Sequence, residues 1–287
     1  MSSSKPLARA VVALASLALV FASGCELFES IQAEKVLAAT VLSSPEYDFN
    51  QTLFPDGGQP FEPDGGLPAD GGLIPTLGPQ MAAEIFFGER NSDPTAAPKG
   101  IAGAEAVLTI GGRSFRLADK GSGNYALNSQ DDPDFKYESD AEVKLTIEKD
   151  GESFTATVTA PKEERIEQFH ATPGKPLELA KGENLQLTRA AIENVAFTTV
   201  MPMSAGAQEG PTYTDMPTEP LDLLDLVAGP DKWKTKVITV PGTAFPEADT
   251  HYVVNVSAVA KGETSTNLFT TSAFLVGTAD LGLVKTK

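Results

Sequence analysis

The stretch "AEVKLTIEKDGESFTATVTAP", residues 141–161, alternates apolar and polar residues on both sides of an Asp-Gly pair. Apolar side chains occupy every second position from Val143 to Ile147, and again from Phe154 to Val158. This period of two is typical of a half-buried strand, and Asp-Gly between two such runs indicates a hairpin turn. The pattern predicts a β-hairpin in which Ile147 and Phe154 are buried partners.

The same alternation recurs through most of the chain after residue 80. A second hairpin signal lies at Gly111–Gly112, and the run Tyr252–Ala258 places apolar residues at every second position. Short strands at this interval, separated by Gly, Pro and Asp, are typical of β-sandwiches. We therefore predict an all-β protein with two tandem immunoglobulin-like sandwich domains, at residues 81–162 and 163–287.

Parts of both predicted domains resemble known sandwich families. The segments "GAEAVLTI" (103–110), "GSGNYAL" (121–127) and "GESFTATVTAP" (151–161) resemble the transthyretin-like or carboxypeptidase-regulatory sandwiches of exported bacterial proteins. The segment "PGTAFPEADTHYVVNVSAVAKG" (241–262) is similar to immunoglobulin or fibronectin type III modules. Sandwiches of these kinds host many unrelated functions, so the resemblance implies the fold alone.

The N-terminus has the composition of an export signal. Lys5 and Arg9 precede an apolar run at residues 10–21, and the small residues 22–24 follow it. A membrane-spanning helix needs about 20 apolar residues, so the run has the length of a signal peptide instead. The next residue, Cys25, is the only cysteine in the chain.

This arrangement resembles the lipobox of bacterial lipoproteins, although Ala22 occupies a position where Leu is usual. The resemblance implies that residues 1–24 are removed and that Cys25 is lipidated, with fatty acyl chains such as palmitate. In bacterial lipoproteins, Asp at the position after the cysteine often favours retention at the inner membrane. This chain has Glu26 there, which implies an outer-membrane location. Whether the protein faces the periplasm or the cell surface stays open. The alternative is an ordinary signal peptide followed by an incidental cysteine.

Residues 25–80 are predicted to hold the lipidated N-terminus, a short helix or strand, and then a flexible spacer. The spacer contains Asp-Gly-Gly units at Asp56, Asp64 and Asp70, interspersed with prolines. Proline prevents helix and glycine weakens sheet, which favours a flexible segment. Two interpretations stay open: a tether between anchor and domains, or a long loop inserted after a first strand at residues 35–42.

Composition and motifs exclude several functions. With 22 basic and 39 acidic residues the net charge is −17, which disfavours nucleic acid as a partner. The chain lacks the phosphate-binding loop of nucleotide-binding proteins, the nucleophile elbow of hydrolases and the cysteine or histidine spacing of zinc sites. His170 and His251 are predicted to be surface residues, and Trp233 is the only tryptophan that could stack on a sugar. We predict no catalytic residue and no cofactor.

An acidic loop offers the one metal candidate. Asp131, Asp132 and Asp134 lie close together in "SQDDPDFKYESDAE", and calcium takes six to eight oxygen ligands. The loop lacks the residue order of an EF-hand, and a solvated acidic loop is the preferred interpretation. We therefore predict no metal site.

These features predict a lipid-anchored envelope protein with a non-catalytic role in binding, adhesion or scaffolding. The expected partners are the membrane, through the anchor, and another envelope protein or a surface polymer. Two alternatives come from other classes: an anchored hydrolase or its accessory subunit, and a periplasm-facing assembly factor.

Overall fold

The computed structural model describes residues 33–45, 80–91, 97–172, 175–192, 194–203, 211–215 and 233–287. These residues form strands with one short α-helix and one 3-10 turn, which confirms the all-β prediction. The strands are β1 (Lys35–Ser44), β2 (Gln80–Glu89), β3 (Lys99–Gly100), β4 (Glu105–Ile110), β5 (Arg113–Arg116), β6 (Ala118–Gly121), β7 (Asn124–Asn128), β8 (Glu142–Lys149), β9 (Glu152–Thr159), β10 (Leu177–Leu179), β11 (Leu185–Thr188), β12 (Val195–Pro202), β13 (Tyr213–Thr214), β14 (Val237–Val240), β15 (His251–Lys261), β16 (Glu263–Thr264) and β17 (Ala273–Thr286). The helix α1 spans Glu167–Ala171, and the 3-10 turn spans Gly242–Ala244.

The described strands form three sheets. The largest has ten strands, in the order β13-β12-β15-β17-β1-β2-β7-β6, with β10 paired to β17 and β3 paired to β2. A five-stranded sheet has the order β16-β9-β8-β4-β5, and β11 pairs with β14 alone. The pairing is antiparallel except where β17 lies parallel to β1 and to β10.

The C-terminal strand β17 belongs to two hydrophobic cores. Phe274 and Val276, near its start, pack in the first core, while Val284, near its end, packs in the second. The first core lies between the large sheet and the five-stranded sheet. It contains, among others, Leu37, Val41, Ile85, Phe87, Leu108, Ile110, Tyr125, Leu145, Ile147 and Phe154. The second contains residues of β11, β12, β14 and β15, including Leu187, Val200, Val240, Tyr252, Val254 and Val256.

The structure does not confirm two tandem immunoglobulin-like modules. The ten-stranded sheet contains strands from both sides of residue 162, and the first core includes residues from β1 and β17. The physical reason is the length of β17. Its fourteen residues pair with β1 through residues 273–278 and with β10 through residues 284–286, so one strand serves both halves.

The first strand lies inside the large sheet. β1 pairs with β17 on one side and with β2 on the other, and Ser44 is the register partner of Gln80. The Asp-Gly-Gly units lie outside the described residues, but the connection that contains them starts and ends at paired positions of neighbouring strands. Of the two interpretations of this tract, the pairing favours a loop between β1 and β2.

The hairpin predicted at residues 141–161 is confirmed in register. Ile147 pairs with Phe154, and both side chains are at most 2% exposed. Asp150 and Gly151 both have positive φ, 52° and 84°, which is the backbone conformation of a type I′ hairpin turn. Tyr252, together with the alternating residues that follow it in β15, is also buried as predicted.

Truncation of the buried hairpin residues should destabilise the protein. Ile147→Ala and Phe154→Ala each leave a cavity, and Phe154 also loses its ring contact with Phe87, whose centroid is 5.1 Å away. We expect each variant to lower the free energy of unfolding by about 2 to 5 kcal/mol in chemical denaturation. Lys144→Ala, on the exposed face of β8, is the control and should stay within about 0.5 kcal/mol of the parent. Parent-like unfolding of both core variants would contradict this packing.

Candidate functional site

The middle of β17 is polar where its two ends are apolar. Thr278, Asp280 and Gly282 alternate along the face that carries Phe274 and Val284 in the two cores. Thr278 and Asp280 are 3% and 2% exposed. Buried polar groups need hydrogen-bond partners, so this stretch requires a polar segment against it.

The segment that connects β9 to β10 supplies those partners. The backbone N–H of Glu164 donates to Oγ1 of Thr278 at 2.7 Å, and the N–H of Ile166 donates to Oδ2 of Asp280 at 2.7 Å. The ring of Phe169 fills the space above Gly282, where an added β-carbon would lie 2.1 Å from Cδ1 of Phe169. Each of the three alternating residues Thr278, Asp280 and Gly282 therefore contacts a residue of the connecting segment.

His170, in α1, completes this junction. Its Nε2 lies 2.9 and 3.2 Å from the carboxylate oxygens of Asp280, and the N–H of Leu281 donates to the same carboxylate at 3.0 Å. Burial raises the pKa of Asp280, while the hydrogen bond from Ile166 and the nearby His170 act in the opposite direction. The sequence predicted a surface histidine, and its side chain is 39% exposed, but it has a buried carboxylate as its partner.

A histidine oriented by a buried aspartate is the base of many hydrolases, where it also contacts a nucleophile. Within the described ranges, the hydrogen bonds of His170 go to Asp280. The arrangement as described performs a structural task, because it holds the connecting segment against β17. Sequence reasoning missed Asp280. The signal that could have found it is Thr-x-Asp-x-Gly at alternate positions of an otherwise apolar strand.

A buried ion pair holds the same segment from the other side. Arg189, after β11, is 1% exposed, and its Nε and Nη2 donate to Oε2 of Glu164 at 3.0 and 2.7 Å. The guanidinium also donates to the backbone oxygens of Asn194 at 2.9 Å, Thr235 at 3.4 Å and Trp233 at 3.5 Å. These contacts satisfy a charge that would otherwise be very costly to bury.

Asp215, after β13, is a further partly buried carboxylate. The backbone N–H of Thr198 donates to its Oδ1 at 2.5 Å, and the indole N–H of Trp233 donates to its backbone oxygen at 3.3 Å. Trp233 also packs edge-on against Phe197 with centroids 5.9 Å apart. Burial raises the pKa of Asp215 to about 6, although the Thr198 hydrogen bond lowers it.

The predicted acidic loop follows β7. Oδ2 of Asp131 accepts a hydrogen bond from the side-chain amide of Asn128 at 2.7 Å, and Oδ1 of Asp132 accepts one from the backbone N–H of Asp134 at 3.0 Å. These are contacts of local turns. Across the described part of the chain, no group of three or more His, Cys, Asp or Glu residues is placed to hold a metal ion.

The remaining predicted features lie partly inside and partly outside the part of the chain that the structure describes. His251, at the start of β15, is half-buried, and its pKa is lowered by burial and by Lys285. The signal peptide and Cys25 lie outside the described residues.

Comparisons with known proteins do not assign a family. No protein-family model matches this chain, and no curated protein matches its sequence. In the part of the chain that the structure describes, no helix is both long and apolar enough to cross a membrane.

The Arg189–Glu164 pair should be sensitive to removal of one partner. Arg189→Met leaves Glu164 buried without its counter-charge, and we expect a loss of about 3 to 5 kcal/mol in the free energy of unfolding. Arg189→Met combined with Glu164→Leu should recover most of that loss, because neither charge is then buried. The control is Arg113→Met, since the Arg113–Glu138 pair is exposed and should contribute at most about 1 kcal/mol. Equal losses at the two arginines would contradict the buried pair.

Asp215 should make stability depend on pH. A carboxyl whose pKa is raised on folding contributes stability below its unfolded pKa, near 3.8, and loses it as pH rises through about 6. Asp215→Asn keeps the acceptor for Thr198 without the charge. We expect this variant to be more stable than the parent by about 1 to 3 kcal/mol at pH 7, with the difference shrinking towards pH 4. Asp150→Asn, on an exposed turn, is the control. A difference that is constant over this pH range would contradict the assignment.

Proposed function

We propose that this protein is a lipid-anchored component of the bacterial cell envelope, held at the outer membrane by acylated Cys25, with a non-catalytic binding role. The observation that carries the proposal is the apolar run at residues 10–21 that leads through three small residues to the only cysteine. Each buried methylene of an acyl chain contributes about 0.8 kcal/mol, so two or more chains anchor a protein durably.

The position of β1 supports an anchor at this point of the chain. β1 starts at Lys35, ten residues after Cys25, and has hydrogen-bonded neighbours on both sides. Its residues from Val36 to Val41 are buried. The anchor is therefore joined to a central strand of the largest sheet and not to an edge strand.

The architecture supports a binding role over a catalytic one. Three ionisable side chains are buried at the junction: Glu164, Arg189 and Asp280. Arg189 donates to Glu164 and to backbone oxygens, and Asp280 accepts from a backbone N–H of the connecting segment. Because these contacts hold the connecting segment in place, a structural role explains why the three groups are buried. A sandwich body of this kind presents edges and loops to a partner, and we propose another envelope protein or a surface polymer as that partner.

Removal of the thiol should release the protein from the membrane. We expect Cys25→Ser to abolish incorporation of labelled palmitate and to move the protein from the detergent phase to the aqueous phase, because no acyl chain can be attached. Ser30→Ala, close to the cysteine but outside the lipobox-like run, is the control and should partition like the parent. Detergent partitioning of Cys25→Ser that equals the parent's would refute the anchor.

The binding role needs a separate measurement. Crosslinking in intact cells, followed by purification of the acylated protein, should recover a specific envelope partner, and the Cys25→Ser protein should recover less of it. Hydrolytic activity of the purified protein that is lost in His170→Ala, with thermal stability retained, would favour the anchored-hydrolase alternative instead.

A further inference from the structure

The end of the large sheet nearest the anchor can be identified from strand register. Lys35, Glu89 and Lys99 lie side by side there, on β1, β2 and β3. Nζ of Lys35 is 2.7 Å from Oε1 of Glu89. This anchor-proximal end also contains the start of β17, because β17 runs parallel to β1.

The start of β1 is fastened to the body of the protein. The N–H of Phe269 donates to the backbone oxygen of Lys35 at 2.7 Å, and the N–H of Leu37 donates to Oγ of Ser272 at 3.0 Å. The guanidinium of Arg90 lies over the Phe269 ring, 4.8 Å from its centroid. Because of these contacts β1 does not peel away to lengthen the segment between Cys25 and the sheet.

The opposite end of the sheet is far away. β17 continues past β1, and His251 pairs with Lys285 near its end. At about 3.3 Å per residue, Lys285 lies roughly 40 Å along the strand from Ala273. The exposed residue Glu247 precedes β15 at this distal end.

The connection between β1 and β2 cannot extend the reach of the anchor. Its two ends, Ser44 and Gln80, are register partners, whose Cα atoms lie about 5 Å apart in an antiparallel pair. Both ends also lie a full ten-residue strand away from Lys35. Residues 26–34 are the whole connection between Cys25 and β1, and even fully extended they span only about 30 Å.

We infer that the anchored protein faces the bilayer with its anchor-proximal end, and that residues 26–34 alone set its distance from the lipid. The inference rests on the proposed function, because it takes acylated Cys25 as the anchor. It assigns the lipid surface as the partner of this end and leaves the distal end, with Glu247, for a partner away from the membrane.

Energy transfer on the full, acylated chain tests the orientation. The protein is placed in vesicles of phosphatidylethanolamine and phosphatidylglycerol that carry an acceptor dye on their headgroups. Donors are attached to Lys99→Cys or to Glu247→Cys, where the introduced thiol is the free one because Cys25 is acylated. We expect clearly higher transfer from position 99 than from position 247. Equal transfer, or higher transfer from position 247, would overturn the inferred orientation.

Two length variants test which segment sets the distance. A twenty-residue Gly/Ser insertion between Ser30 and Ile31 should lower transfer from position 99. Deletion of residues 55–74 should leave it unchanged, since fifteen residues still join Ser44 to Gln80. A fall in transfer after the deletion, or none after the insertion, would overturn the inference.

The failure of the anchor itself has a different signature. If the Cys25→Ser protein binds these vesicles as well as the parent, the proposed function fails and the orientation has no anchor to rest on. If Cys25→Ser does not bind but position 247 transfers best, the anchor stands and the inferred orientation is wrong. Thermal melting of each labelled protein confirms that it is folded.

Discussion

The rest of the structure depends on strand β17, which packs in two hydrophobic cores and carries buried polar residues between them. β17 presents apolar residues to the first core at its start and to the second core at its end. Between them, Asp280 is a carboxylate at 2% exposure, and a charge at that depth is stable only with several donors. Besides the N–H of Leu281 in β17 itself, the N–H of Ile166 and the ring of His170 contact Asp280 from the connecting segment, so the strand and the segment determine each other's conformation.

This arrangement explains why the connection between the two halves buries Glu164 and Ile166, although several of its other residues are exposed. The connecting segment contributes Glu164 to a buried pair with Arg189, and it places backbone N–H groups on Thr278 and Asp280. An ordinary interdomain linker carries exposed polar groups and leaves its neighbours free to move. Here buried charges link both sides, and such pairs are costly to break although they add little net stability.

The anchor proposal and the fold meet at β1. A strand at the centre of a sheet has its backbone groups hydrogen-bonded on both sides, so β1 is held in place by both β17 and β2. The hydrogen bonds to Phe269 and Ser272 hold the start of β1 on the sheet, so the reach of the proposed anchor is short. Under the anchor proposal, a protein attached in this way works near the membrane surface.

Local sequence determined the hairpins, because their information lies within a few residues. The alternation around Asp150–Gly151 fixed both the turn and the register that pairs Ile147 with Phe154. The lipobox-like run is equally local, and it is read from the sequence alone. The sequence also left a choice of tether or loop for the Asp-Gly-Gly tract, since composition describes a segment and says nothing about where its ends lie.

Tertiary structure decided what depends on residues far apart in the chain. The parallel pairing of β1 with β17 joins positions more than 230 residues apart, and no periodicity of either strand specifies that partner. The same holds for His170 and Asp280, which the sequence separates by 110 residues. Period two determines which face of a strand is buried, whereas the choice of neighbouring strand follows from how the cores fill. The division into two sandwiches was predicted from the local pattern, and the single shared sheet became visible only in the fold.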